Sequence, residues 1–197
     1  MAIELISPAA AFALERHKGQ TYGKSKPYHV HLFDGVGVLR RFVDWEALPQ
    51  EFVDAAWLHD VVEDTPTTLN EVEAAFGPRV AELVNAVTNE PGPNRKERHA
   101  KTYPKVISTD GAIIVKLADR IANVEQSVSY DRYGRPPQNL FWMYVKEWDE
   151  FQRMLRGKCR GEGLTGMTMW SYLVELMDEG HEKARALKDA KAFRGEV

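Results

Sequence analysis

Between Phe52 and Thr65 the chain reads FVDAAWLHDVVEDT, and this stretch restricts the fold more than any other. Pro49 suits a first helical turn and Thr65-Pro66 a stop, which predicts a helix over residues 49–64. Phe52, Val53, Ala56, Trp57, Leu58, Val61 and Val62 fall on nearly every side of it, the pattern of a buried helix. Yet His59, Asp60, Glu63 and Asp64 sit in the same run, His59 one turn from Glu63 and Asp60 one turn from Asp64. Carboxylates crowded onto one face in low dielectric repel one another and are driven towards protonation unless a cation joins them. A metal ion is the most economical partner, because it takes neutral imidazole and carboxylate together. That reading requires matching ligands elsewhere; without them, a His-Asp pair before an acidic turn is an ordinary solvated surface.

The remaining signals are also helical. Ser7-Pro8 is an N-cap followed by proline, and with Gly19 as a stop it predicts a helix over 8–18. Thr68 to Glu71 fits a capping box, Gly77 ends that helix, and 78–88 continue as another. Residues 95–107 read as a basic helix containing Pro104, and 109–129 as an amphipathic one with Ile113, Ile114, Leu117, Ile121, Val124 and Val128 on its apolar face. Helices are expected over 139–157 and 169–190, separated by a glycine-rich segment, 157–168, that reads as mobile. No β-alternation stands out, so the expected fold is a single all-α domain.

Composition sets the class. The chain has 197 residues, enough for one domain with a substantial core, and no apolar run approaches a membrane span. One cysteine, Cys159, excludes an internal disulfide, and the N-terminus lacks a basic signal start, so a cytoplasmic protein is expected. A net charge of −3 argues against nucleic-acid binding. The oligomeric state is left open, a homo-oligomer being compatible with the sequence.

Among the other histidines, His181 lies in a charged helix and reads as solvated, while His99 sits among Arg95, Lys96, Arg98 and Lys101, which would repel a metal. His17 closes the first helix, where the dipole favours it without further function. His29 and His31 frame Val30: on a strand both would face one way, on a helix only one could reach a metal. Lys116, Asp119, Asn123 and Gln126 form a polar stripe beside the apolar face of the 109–129 helix. Asp119 follows a run almost as apolar as the one before His59, which suggests a shared buried site.

The segments HKGQ (17–20), PYHVH (27–31), AAWLHDVVEDT (55–65), FGPRVAELVNAVT (76–88) and VKLADRIANV (115–124) resemble, in order and approximate spacing, the RelA/SpoT-type hydrolase domain of the HD superfamily. The match runs from about residue 8 to residue 128, leaving 138–190 as a helical extension. The resemblance implies an HD-type helical bundle and a stand-alone, Mesh1-like small alarmone hydrolase. Such enzymes remove the 3′-pyrophosphate of ppGpp and pppGpp. It implies His31, His59, Asp60 and Asp119 as ligands of one Mn²⁺ per chain, although Zn²⁺ or Fe²⁺ would suit the same donors. Glu63 and Asp64 take the catalytic role of removing a proton from the attacking water. Asn123 is implied at the ribose or phosphate, and Lys24 and Lys116 are candidate phosphate contacts.

Three positions depart from the family's pattern. Tyr22 stands where an arginine stacks on the base; tyrosine can stack but has no bidentate fork. Leu32 replaces a proline, and Glu125-Gln126 replace an Arg-Thr pair. The alternatives these departures raise are a different nucleotide substrate, such as (p)ppApp or NADPH, and a non-catalytic nucleotide sensor. The Arg95, Lys96, Arg98, Lys101 cluster reads as a solvated face and Tyr144 as core.

Overall fold

A computed structural model of the chain describes residues 7–23, 26–44, 48–128 and 140–193. Its architecture is all-α apart from one minimal hairpin. The elements are α1 (Pro8–Arg16), β1 (Thr21–Tyr22), β2 (Lys26–Pro27), α2 (His29–Phe42), α3 (Gln50–Leu58), α4 (Val61–Asp64), α5 (Leu69–Phe76), α6 (Pro78–Val87), α7 (Arg95–Ser108), α8 (Ala112–Val128), α9 (Leu140–Gly161) and α10 (Gly163–Phe193). The two strands pair antiparallel, with Thr21 opposite Pro27 and Tyr22 opposite Lys26. Among the described residues, no helix is long and apolar enough to cross a membrane.

Local signals place most helix ends. The Ser7 hydroxyl accepts the Ala10 N–H at 3.2 Å to start α1. At the start of α5 both bonds of a Thr68–Glu71 capping box are present. Helix α8 is the axis of the bundle, packing against α2, α3, α6, α7, α9 and α10. Its Ile113, Leu117, Ile121 and Val124 are fully buried, which removes from water the apolar stripe that its sequence carries.

The expected continuous helix over 49–64 is broken. It ends at Leu58, His59 and Asp60 form a turn, and α4 adds a single further turn. Adjacent residues on an uninterrupted helix point about 100° apart. The break instead brings the His59 Nε2 within 3.0 Å of an Asp60 carboxylate oxygen. The backbone of both residues stays in the right-handed helical region, and the Asp64 N–H still donates to the Asp60 carbonyl at 2.9 Å.

The glycine-rich segment 157–168 is not a mobile loop. It forms the end of α9 and the start of α10, joined at Gly163, whose φ of 66° makes the turn that most side chains would strain. Gly166 lets the two helices meet closely: a Cβ there would sit 2.4 Å from the Cys159 carbonyl oxygen. Lys158 and Glu162 tie the corner to the start of α8, through Lys158–Asp110 at 3.4 Å and the Gly111 N–H donating to Glu162 at 3.1 Å. Gly166→Ala is expected to lower stability by roughly 1–3 kcal/mol, as overpacking does, with a lower denaturation midpoint in urea. An unchanged midpoint would show that the helices separate at no cost.

Candidate active site

Three separate segments deliver the four expected metal ligands to one point. His29 and His31 both lie in α2, so the helical alternative holds and they diverge: His31 is buried towards the bundle and His29 is exposed beside Phe33. His31 Nε2 lies 3.1 Å from His59 Nε2. Asp60 Oδ2 is 3.3 Å from the first nitrogen and 3.0 Å from the second. Asp119 Oδ1, from α8, is 3.5 and 3.7 Å from the same nitrogens. Ligand atoms of His31, His59 and Asp119 all fall within 4.8 Å of one another.

The donor set fits a divalent ion. The Ala56 carbonyl accepts from His59 Nδ1 at 2.8 Å, which places the proton there and leaves the Nε2 lone pair facing the cluster. Burial opposes charge on His59, yet Asp60 and Asp119 outweigh it and raise the imidazole to about 9. Burial likewise opposes charge on both carboxylates. At Asp119 the Lys116 ammonium and the imidazoles overcome it, and at Asp60 the imidazoles do, holding both carboxyls below the usual range. Two buried carboxylates thus draw positive charge into the cluster, the electrostatic condition a metal cation meets.

The two acids that follow part company. Glu63 lines a pocket of about 310 Å³ together with His31, Asp60, Asp119, Lys116 and Asn123. Its carboxylate accepts the Asn89 backbone N–H at 3.0 Å and the Asn89 side-chain amide at 3.2 Å, with Arg98 at 3.6 Å. Asp64 does not line that pocket. Its carboxylate accepts the Tyr28 hydroxyl at 2.5 Å, and the same hydroxyl lies 2.7 Å from Asp60. Burial pushes the Asp64 carboxyl up, and the Asp60 and Glu63 charges add to it against the Tyr28 bond.

On the substrate side, Tyr22 stacks on His31 at 4.6 Å, so one ring face is already taken, and its hydroxyl donates to Asn123. The Asn123 amide in turn donates to Asp119. Asn123 therefore spends both ends of its side chain orienting Asp119 and Tyr22. Lys116 Nζ is 3.1 Å from Asp119 and opens on the pocket. Lys24 lies outside the described residues. Glu125 turns away to Arg41 and Tyr172, at 2.7 Å from each, and does not line the pocket.

The expected solvated face of α7 is divided. Lys96 is exposed, and Lys101 donates to the Pro91 carbonyl at 2.8 Å. Arg95 instead lines the pocket, with Nε 2.5 Å from the carboxylate of Glu147, and His99, set aside as a metal ligand because cations surround it, lines the pocket too. Tyr144, expected in the core, is buried but also reaches the pocket. Sequence reasoning missed Asn89, Arg120 and Glu147. Arg120 bonds Glu147 at 3.1 Å with its guanidinium over the rings of Tyr144 and Phe151, 4.8 and 4.7 Å away. A usable signal for Arg120 was its place in KLADR, a cationic residue inside an apolar helix; Asn89 and Glu147 carry no comparable signal.

A family model described as HD domain matches residues 9–135, and the chain belongs to the HD-domain family. Among curated relatives, the guanosine-3′,5′-bis(diphosphate) 3′-pyrophosphohydrolase of Aquifex aeolicus is 36% identical over 126 residues, covering 62% of this chain and 18% of that protein. The guanosine-3′,5′-bis(diphosphate) 3′-pyrophosphohydrolase MESH1 of Mus musculus is 39% identical over 122 residues, covering 59% of this chain and 65% of that protein. The chain thus matches under a fifth of the Aquifex protein and just under two thirds of MESH1. A solved structure reported under "A metazoan ortholog of SpoT hydrolyzes ppGpp and plays a role in starvation responses" superposes with a TM-score of 0.57 at 22% identity. It covers 90% of this chain and 92% of that one, a likeness of fold.

Burial pushes the His99 imidazole down to about 3, with Arg120, Lys116 and Arg95 adding to it against Glu147. The folded protein therefore refuses a proton that the unfolded chain accepts near pH 6.5. This contribution to stability is complete above pH 6.5 and is lost as pH falls towards 3. His99→Gln should flatten that dependence, its unfolding temperature gaining about 4–8 °C on the unmutated protein between pH 7 and pH 5. Parallel curves for the two proteins would contradict the assignment.

Proposed function

We propose that this chain is a Mn²⁺-dependent 3′-pyrophosphohydrolase of guanosine alarmones, releasing pyrophosphate from ppGpp and pppGpp to leave GDP and GTP. The observation that carries the proposal is the convergence of His31, His59, Asp60 and Asp119 beside a pocket holding one oriented carboxylate, Glu63, and the cations Lys116 and Arg95. The names of the relatives supply the substrate class. One Mn²⁺ held by the four ligands would supply Lewis acidity, lowering the pKa of water and offsetting charge on phosphoryl oxygens.

The protein's own groups account for the rest. Glu63, pinned by both donors of Asn89, faces the pocket and takes the proton as water oxygen bonds to the phosphorus on the 3′-oxygen. The bond from phosphorus to the 3′-oxygen breaks, that oxygen takes a proton from the protonated Glu63 through water, and pyrophosphate departs. Lys116 and Arg95 receive the anionic oxygens, where a pocket with low-dielectric walls strengthens each contact. Asp64 acts from behind, through the Tyr28 hydroxyl it shares with Asp60. A cytoplasmic nucleotide substrate accords with a chain of net charge −3 carrying one cysteine.

A second reading rests on Tyr22. With one face on His31 and its hydroxyl on Asn123, it cannot supply the forked donor of an arginine to guanine. An adenine nucleotide, (p)ppApp or NADPH, is the substrate class this favours. The discriminating assay is phosphate and pyrophosphate release with Mn²⁺ from ppGpp, pppGpp, ppApp and NADPH. Pyrophosphate from the guanosine alarmones is expected, abolished by Asp60→Ala and slowed about 10²–10⁴-fold by Glu63→Gln. No release from any of the four with Mn²⁺ bound would overturn the enzyme reading in favour of a sensor.

A further inference from the structure

The HKGQ segment, residues 17–20, touches none of the pocket, yet it is built against the residues behind it. His17 is 3% exposed and stacks face to face on Tyr28, with ring centroids 4.4 Å apart and planes 2° from parallel. Its Nδ1 lies 2.7 Å from Gln20 Oε1. The Gln20 amide nitrogen donates to the Asp64 backbone carbonyl at 2.8 Å, so Oε1 is the acceptor and the His17 proton sits on Nδ1. The Gln20 carbonyl accepts the Tyr28 N–H at 3.1 Å. Gly19, at φ 79°, makes the reversal that returns Gln20 to His17. The His17 Nε2 is buried without a hydrogen-bond partner among the described residues.

The geometry points to His17 as a positioning residue with two separable outputs, one through Tyr28 to the carboxylates of the metal ligand Asp60 and of Asp64, and one through Gln20 to the Asp64 backbone. Through its ring face it fixes Tyr28, whose hydroxyl holds Asp60 and Asp64 together. Through Nδ1 it fixes Gln20, which anchors the backbone of Asp64 at the end of α4. The inference goes beyond the proposed reaction but rests on its assignment of Asp60 as a metal ligand. Supporting residues of this kind typically alter metal affinity or activity 10–100-fold.

Because the outputs differ, two substitutions separate them. His17→Phe keeps a ring to stack and loses the Gln20 bond; it should hold Mn²⁺ affinity within about threefold while kcat falls about tenfold. His17→Ala loses both, and its Mn²⁺ affinity, titrated calorimetrically on the full chain, should fall about tenfold as well. His17→Ala with unaltered affinity, or His17→Phe as weak for Mn²⁺ as His17→Ala, would overturn the inference. Should the alanine variant fail to fold, Tyr28→Phe decides, since it deletes only the bridging oxygen: a Mn²⁺ affinity equal to that of the unmutated chain overturns the inference. Mn²⁺ binding without alarmone turnover would refute the substrate assignment alone, because the affinity comparison needs no substrate. An unmutated chain that binds no Mn²⁺ would refute both.

Discussion

Burial of like charge at the junction of α2, α3, α4 and α8 is the constraint around which the bundle is arranged. Asp60 and Asp119 keep side-chain exposures of only 19% and 15%, beside imidazoles that are almost fully buried. Carboxylates in that setting persist as anions only because each has a cationic or hydrogen-bonding partner fixed in place: Lys116 on Asp119, Tyr28 on Asp60, and the histidines between them. Lys116 is a helix neighbour of Asp119 and His59 adjoins Asp60, but Tyr28 and His31 reach Asp60, and both histidines reach Asp119, from segments distant in sequence. The apolar packing of α8 against α2 and α3 is therefore also what assembles the site. Core and chemistry share the same residues, so a defect in one reaches the other.

Around this centre charges of both signs line one pocket. Glu63, Asp60 and Asp119 line the pocket together with Arg95, Lys116 and Arg120, and Lys116 sits 3.1 Å from Asp119. Glu147 sits behind two of these cations and compensates them without facing the reaction. This gives the C-terminal helices a definite part: α9 contributes Met143 and Tyr144 to the lining and Glu147 to its support, although it lies beyond the residues that match the HD-domain model. Arg120, held over two aromatic rings, is 6% exposed at its side chain, while Arg95, also paired with Glu147, keeps 38% of its side chain exposed.

Helix positions were largely written in local sequence. Ser7-Pro8, the Thr68–Glu71 box and the stripe from Ile113 to Val128 each act over three or four residues, and each formed as its pattern predicts. The residue types of the buried cluster were legible for the same reason, because charged groups inside apolar runs demand partners. His59, Asp60 and Asp119 stand out on that ground alone. His31 was separable from His29 only through family resemblance, since the choice hangs on whether the segment is helix or strand.

What the sequence by itself determined was a helical protein in which buried histidine and carboxylate must meet a cation. Only the tertiary structure decided which neighbour each side chain addresses. The break at His59-Asp60, the separation of Glu63 from Asp64, the inward turn of Arg95 and His99, and the close seat of Gly166 on Cys159 all depend on chain segments far away in sequence. Helical periodicity fixes where a side chain projects on its own helix. What lies opposite is set by the packing of other helices, and burial, charge compensation and close contact are properties of that packing.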